Sequence, residues 1–206
     1  FTDSPPPPIE PLLRGRTIAI ARDAAFCFLY PANIECLERL GATLIYFSPL
    51  TDVLPSCDAV WLPGGYPELH AADLAARTDL WAALAAHVGA GKPLLAECGG
   101  MMALFDFLRD VDGHDFSLAG LLPGQVVMQR KLAALGMQEV ELPEGALRGH
   151  AFHYSRAETP LLPAVQARRP DGRPGEAIYR RQRLTASYMH LYFSSNPGAV
   201  ACLFQG

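Results

Sequence analysis

The sequence predicts an α/β fold: a mostly parallel sheet, with antiparallel strands added in its second half. Three observations carry this. Short apolar runs alternate with segments of helical periodicity through the first half of the chain. From about residue 119 that periodicity fades into a succession of strand-like runs. A chain of 206 residues that is 50% hydrophobic and only 18% charged can bury one substantial core. Element by element, Thr17 to Ala21 reads as a buried first strand. Residues 31–40 place Ile34, Leu37 and Leu40 on one helical face and stop at Gly41. Strands follow at 43–47 and 58–62, the latter running into Pro63-Gly64-Gly65. Residues 71–88 are alanine-rich with Leu74, Trp81, Leu84 and Val88 at helical spacing, which predicts one long helix. Residues 93–97 form the next strand, and Met101, Leu104, Phe105 and Leu108 then follow the i, i+3, i+4, i+7 pattern of a helix face. Strands are expected at 126–129, 138–142, 151–154, 177–181 and 184–191, before a closing helix at 197–203.

Composition excludes several classes. No apolar run is long enough for a membrane helix. The net charge is −4, with two lysines, Lys92 and Lys131, among 17 basic residues, so no global field favours nucleic acid. Five cysteines at 27, 36, 57, 98 and 202 lack CxxC spacing, which argues against a zinc site or disulfide framework and for reduced, cytoplasmic thiols. Residues 1–13, with Pro5 to Pro8 in succession, read as an extended interdomain linker, leaving 14–206 as the folded domain of a longer protein.

One cysteine sits where chemistry can use it. Cys98 lies between an apolar strand and a helical pattern and is followed by two glycines, the make-up of a strand-turn-helix elbow that presents a nucleophile at the carboxyl end of a sheet. A thiol there faces the free N–H groups of a helix start, which favours thiolate. The alternative is a buried cysteine beside a tight turn. The Gly-Gly pair after the 58–62 strand can turn backbone N–H groups toward a ligand, so Gly65 and Gly99 are candidate oxyanion-hole donors; most such pairs are simply turns. Six histidines compete as base. His70, His87 and His114 fall in polar helix or loop segments. His150 and His153 are three apart on a strand and point to opposite faces, which argues against a metal pair, and no metal site is expected. His190, near the end of the last strand, would share a face with Tyr188 and Tyr192; it is either a hydrogen-bonded core residue or the base. Arg168, Arg169, Arg173, Arg180, Arg181 and Arg183 form either a solvated basic loop or a docking face. Gly89-Ala90-Gly91-Lys92-Pro93 resembles a phosphate loop but lacks its first glycine and its Ser/Thr.

Four motifs in order give the chain a family resemblance: Pro-Gly-Gly-Tyr-Pro-Glu at 63–68, Ala-Glu-Cys-Gly-Gly-Met-Met at 96–102, Arg-Gly-His-Ala-Phe-His-Tyr-Ser at 148–155 and Ser-Tyr-Met-His-Leu-Tyr-Phe at 187–193. Together they resemble the class I, triad-type glutamine amidotransferase domain, in the branch of cobyrinic and hydrogenobyrinic acid a,c-diamide synthases. Phe-Cys-Phe-Leu-Tyr-Pro-Ala-Asn at 26–33 is similar to the same branch. The resemblance implies a flavodoxin-like amidotransferase fold and a glutaminase in which Cys98 attacks the glutamine amide and His190 activates the thiol. It further implies that Gly64, Tyr66, Glu68 and Glu97 line the glutamine site; the two carboxylates are either contacts for its α-amino group or exposed strand-end carboxylates. No cofactor is implied for this domain. ATP and Mg belong to an absent N-terminal synthetase domain, which would use the ammonia to amidate the a and c carboxylates of the corrin. One position departs from the pattern. Triad-type enzymes usually carry Glu two residues after the histidine, where this chain has Tyr192, so either His190 works in a dyad, oriented by a backbone carbonyl or another acid, or activity is weaker in isolation. The other readings are a non-catalytic interaction domain with the same fold, or another cysteine hydrolase such as a γ-glutamyl hydrolase.

Overall fold

The computed structural model describes residues 9–205; the proline run at 5–8 and most of the expected linker lie outside them. Leu13, which the expected boundary assigns to the linker, is fully buried, and its N–H donates to the Leu40 carbonyl at 2.8 Å.

Strands β1 (Thr17–Ala21), β2 (Thr43–Phe47), β3 (Ala59–Leu62) and β4 (Leu94–Glu97) pair in parallel in the order β2-β1-β3-β4. Residues alternate across this sheet between two cores, as strand geometry requires. Ala19, Val60 and Leu62 pack with Leu74, Trp81, Leu84 and Met101 on one side; Ile18, Ile20 and Trp61 pack with Leu37, Phe193 and Phe204 on the other. Helix α1 (Pro31–Arg39) starts on Pro31, whose missing N–H costs nothing there, and ends before Gly41 at φ +87°.

The long helix expected at 71–88 is divided into α2 (Ala71–Ala75) and α3 (Thr78–Gly89), preceded by a 3₁₀ turn at Pro67–His70. At the break Arg77 donates to the carbonyls of Pro49 and Asp52, the latter at 2.6 Å, and the Trp81 indole reaches back to the Leu74 carbonyl at 2.9 Å. Those side-chain bonds hold the chain at the break. The helix expected after Cys98 is also shorter: α4 (Gly99–Met102) is a single turn, and Phe105 and Leu108 belong to β5 (Phe105–Arg109). A short apolar run satisfies both periods; here pairing with two strand neighbours decides. Those neighbours are β6 (Asp115–Ser117) and β7 (Leu122–Met128), and with β10 (Ser155–Glu158) they make a second, four-stranded sheet in the order β10-β7-β5-β6.

The remaining strands, β8 (Ala134–Leu142), β9 (Gly145–His153), β11 (Val165–Arg168), β12 (Pro174–Arg181), β13 (Leu184–Ser187) and β14 (His190–Tyr192), extend the first sheet to ten strands, ordered β14-β9-β8-β11-β12-β13-β4-β3-β1-β2. The additions are antiparallel except β13, which pairs in parallel with β4. The single strand expected at 184–191 is thus two. Ser187 separates them: its hydroxyl donates to the Ala177 carbonyl and accepts the Met189 N–H, closing a local turn. Helix α5 (Pro197–Phe204) closes the fold, capped by the Asn196 side chain accepting from the Ala199 N–H at 3.1 Å.

Candidate active site

Cys98 follows β4 with φ 47° and ψ −109°, a left-handed conformation that a residue with a β-carbon holds only when its surroundings impose it. Its N–H donates to the Ser187 carbonyl at 2.7 Å, tying the elbow to the end of β13. Close approach explains the glycines after it. A β-carbon on Gly100 would stand 2.1 Å from the Leu62 carbonyl oxygen, and one on Gly99 2.9 Å from the Gly65 nitrogen. The loop after β3 therefore lies directly against the elbow. On its other side Gly64 faces His190, where a β-carbon would come within 2.3 Å of the imidazole Cε1. The segment holding Phe28 fixes this loop, since Phe28 N–H donates to the Gly64 carbonyl at 3.0 Å and Tyr66 N–H to the Ala25 carbonyl at 2.9 Å.

Cys98, Gly65, Tyr66 and Glu68 line one narrow pocket of about 40 Å³ with Phe28, Phe152 and His153. The thiol is 3% exposed and its Sγ lies 3.7 Å from the Phe152 carbonyl. Burial, reinforced by the charges of Glu68, Glu97 and Glu176, pushes its pKa up to about 12. The Gly99 N–H at the helix start does favour thiolate, as expected, but burial outweighs it. Burial also raises the Glu68 carboxyl above its ordinary range.

His190 is 2% exposed. Its ring stacks on His150 at 5.0 Å between centroids and is edged by Phe28 and Tyr30 at 5.9 and 6.1 Å. Burial, with smaller contributions from His150 and His153, lowers its pKa to about 3, so the imidazole is neutral at pH 7. Its Nδ1 is buried and has no hydrogen-bond partner among the described residues. Tyr192 is half-exposed while Tyr188 is buried, so the face His190 was expected to share with both does not exist once the strand is divided.

Glu97 departs most from its expected place. It lies outside the Cys98 pocket, fully buried, with Oε1 accepting the Leu191 N–H at 2.8 Å and Oε2 the Trp61 indole N–H at 2.9 Å. A contact with the α-amino group of a ligand is closed to it. His87, expected in a polar segment, is buried, with Nε2 3.0 Å from the Pro93 carbonyl oxygen. His150 and His153 do point to opposite sides of β9: His150 meets His190 and the Tyr30 hydroxyl (3.2 Å), whereas His153 stacks on Tyr188 at 3.8 Å and sits 3.4 Å from Glu176. Among the described residues, no group of three or more His, Cys, Asp or Glu is disposed to hold a metal ion, and no helix is long and apolar enough to cross a membrane. Residues 89–93 join the end of α3 to β4, the reverse of the strand-to-helix order of a phosphate loop, and Lys92 Nζ donates to the Cys57 carbonyl. Of the arginine group, Arg180 pairs with Glu144 at 2.8 Å and Arg173 with Asp171 at 2.6 Å.

Sequence reasoning missed Tyr30, Asn33 and His150 as neighbours of His190. Asn33 is buried and bridges the chain beside His190, donating to the Leu191 carbonyl at 2.8 Å and accepting the Phe193 N–H at 2.9 Å. Their only sequence signal was membership of the 26–33 and 148–155 motifs.

Comparison with known proteins agrees with the fold. Among solved structures, PurLQS from Thermotoga maritima superposes with a TM-score of 0.61 at 17% identity, over 92% of this chain and 96% of that one. A structure described as a glutamine amidotransferase gives 0.62 at 18% identity, over 90% and 96%. At these identities the likeness is one of fold. In sequence, the chain is 52% identical over 200 residues to hydrogenobyrinate a,c-diamide synthase of Pseudomonas aeruginosa, covering 96% of this chain and 46% of that protein. It is 54% identical to cobyrinate a,c-diamide synthase of Herminiimonas arsenicoxydans, covering 95% and 45%. The chain thus spans about half the length of the curated relatives it matches. Residues 17–198, which hold the cysteine elbow, the glycine loop and the histidine strand, match the model of the CobB/CobQ-like glutamine amidotransferase domain, and the chain belongs to that family.

Proposed function

We propose that the chain is the glutamine-hydrolysing half of a corrin a,c-diamide synthase, with Cys98 as nucleophile and His190 as its base. The observation that carries this reading is the packing of one glycine loop between the two residues, Gly64 on His190 and Gly65 on Gly99 beside Cys98. In the reaction the neutral His190 imidazole takes the Cys98 proton as Sγ bonds to the glutamine carboxamide carbon. Because burial holds the thiol protonated and the imidazole neutral, thiolate forms together with the attack. The N–H groups of Gly65 and Gly99 receive the negative charge that develops on the amide oxygen. His190 returns its proton to the departing nitrogen, ammonia leaves, and water hydrolyses the glutamyl thioester to release glutamate and the thiol. Tyr66 and Glu68 border the pocket where the amino-acid end of glutamine would lie.

The ammonia would pass to the other half of the longer protein, an ATP- and Mg-dependent synthetase that amidates the a and c carboxylates of cobyrinic or hydrogenobyrinic acid. The test is glutamate release by this chain, alone and with that half supplied. Activity that appears or rises with the other half, and is absent in Cys98→Ser, is expected. No release under either condition from folded protein contradicts the reading.

A further inference from the structure

The last strand leaves a question of how His190 is held. Among the described residues nothing bonds to its Nδ1, and the residue two places on, Tyr192, is half-exposed. β14 is three residues long and stands at the edge of the ten-stranded sheet, pairing among the described residues with β9 alone. Backbone groups alternate in direction along an antiparallel strand. With one edge turned to β9, the Leu191 N–H and carbonyl on the other edge need partners, and buried groups without them are costly. Side chains supply these partners. Glu97 Oε1 accepts the Leu191 N–H at 2.8 Å, and Asn33 takes the Leu191 carbonyl and the Phe193 N–H. The second oxygen of Glu97 is fixed by the indole N–H of Trp61, itself fully buried against Phe193.

We infer that Glu97 is a positioning residue for the base: one buried carboxylate, adjacent in sequence to Cys98 and bonded to the amide that follows His190, sets the distance between nucleophile and imidazole. Glu97 precedes the nucleophile by one residue and holds the residue after the base, so rotation or withdrawal of its carboxylate moves the two reacting groups apart. The role of an orienting acid is thereby filled from β4 rather than from the position of Tyr192, and it acts on the backbone rather than on the ring. Trp61 makes the arrangement exacting. An amide at position 97 could satisfy the Leu191 N–H only by turning its NH₂ group toward the indole N–H, donor against donor.

The inference rests on the proposed roles of Cys98 and His190, and its test separates the two. Alkylation of Cys98 by iodoacetamide, followed by peptide mass spectrometry to exclude the exposed Cys27 and Cys202, needs no glutamine turnover. Glu97→Gln is expected to slow it about 10- to 100-fold, the scale of a displacement of about 1 Å, and to add nothing in a His190→Asn background. Where glutamine is hydrolysed, kcat falls by the same factor with KM little changed. A wild-type alkylation rate in Glu97→Gln, or an equal loss with and without His190, overturns the inference. Glu97→Asp keeps the carboxyl group but is one methylene too short to reach both donors. It is expected to behave like Glu97→Gln, and it carries the same comparison if the amide variant does not fold. An epistatic result in protein that never hydrolyses glutamine would leave this inference standing and remove the proposed function.

Discussion

At the scale of single residues, the site is governed by desolvation. A neutral histidine with its pKa near 3 in the fold and near 6.5 when unfolded binds fewer protons folded than unfolded between those values. Its contribution to stability is therefore complete above pH 6.5 and is lost as pH falls toward 3. His190→Gln is expected to flatten the acid side of a denaturant-unfolding profile by up to about 1.4 kcal/mol per pH unit between pH 6 and 4. Glu97 works in the opposite sense. Burial raises it to about 7, so its contribution is complete below its ordinary value of 4.5 and is lost as pH rises through 7. The same histidine slope in wild type and His190→Gln would mean that the imidazole is not buried neutral. Cys98 stood out in the sequence because a thiol at a strand-turn-helix elbow has mechanical meaning, whereas His190 by itself reads equally as a core residue and was singled out only by the motif resemblance. Glu97 was misread because a carboxylate beside a nucleophile looks like a substrate ligand until its two oxygens are seen to be engaged by Trp61 and Leu191.

At the scale of elements, the parallel half of the sheet and the first and last helices were readable, since their apolar positions follow one period without competition. The errors fall where tertiary bonds overrule local pattern: Arg77 dividing the helix expected at 71–88, Ser187 dividing the last strand, and β5 replacing the helix expected after Cys98. The glycine contacts make sharp predictions at this level. Gly64→Ala would drive a methyl into the imidazole of His190, and a loss of glutaminase rate of about 100-fold or more is expected, measured with the thermal midpoint to confirm folding. In Gly100→Ala the new methyl meets the backbone of β3 rather than a movable side chain, so stability itself is expected to fall, by about 1–3 kcal/mol in urea. A Gly100→Ala protein as stable as wild type would contradict the close packing of elbow on strand.

At the scale of the whole molecule, the ten-stranded sheet brings together segments far apart in sequence. β4, the loop after β3, and β14 meet because β13 inserts in parallel beside β4 and returns the chain to the elbow. No local pattern announces that return; the second half was legible as strand-rich, but β6, β10, β11, most of β9 and the division into two sheets were not. Covalent labelling by a glutamine analogue that carries an electrophilic ketone tests the assembled site most directly, with the intact mass as readout. One adduct is expected on wild-type protein, at Cys98, absent in Cys98→Ser and formed at least 10-fold more slowly in His190→Asn. Folded protein that takes up no adduct at Cys98, with the remaining half of the longer protein present, would contradict an amidotransferase site at this elbow.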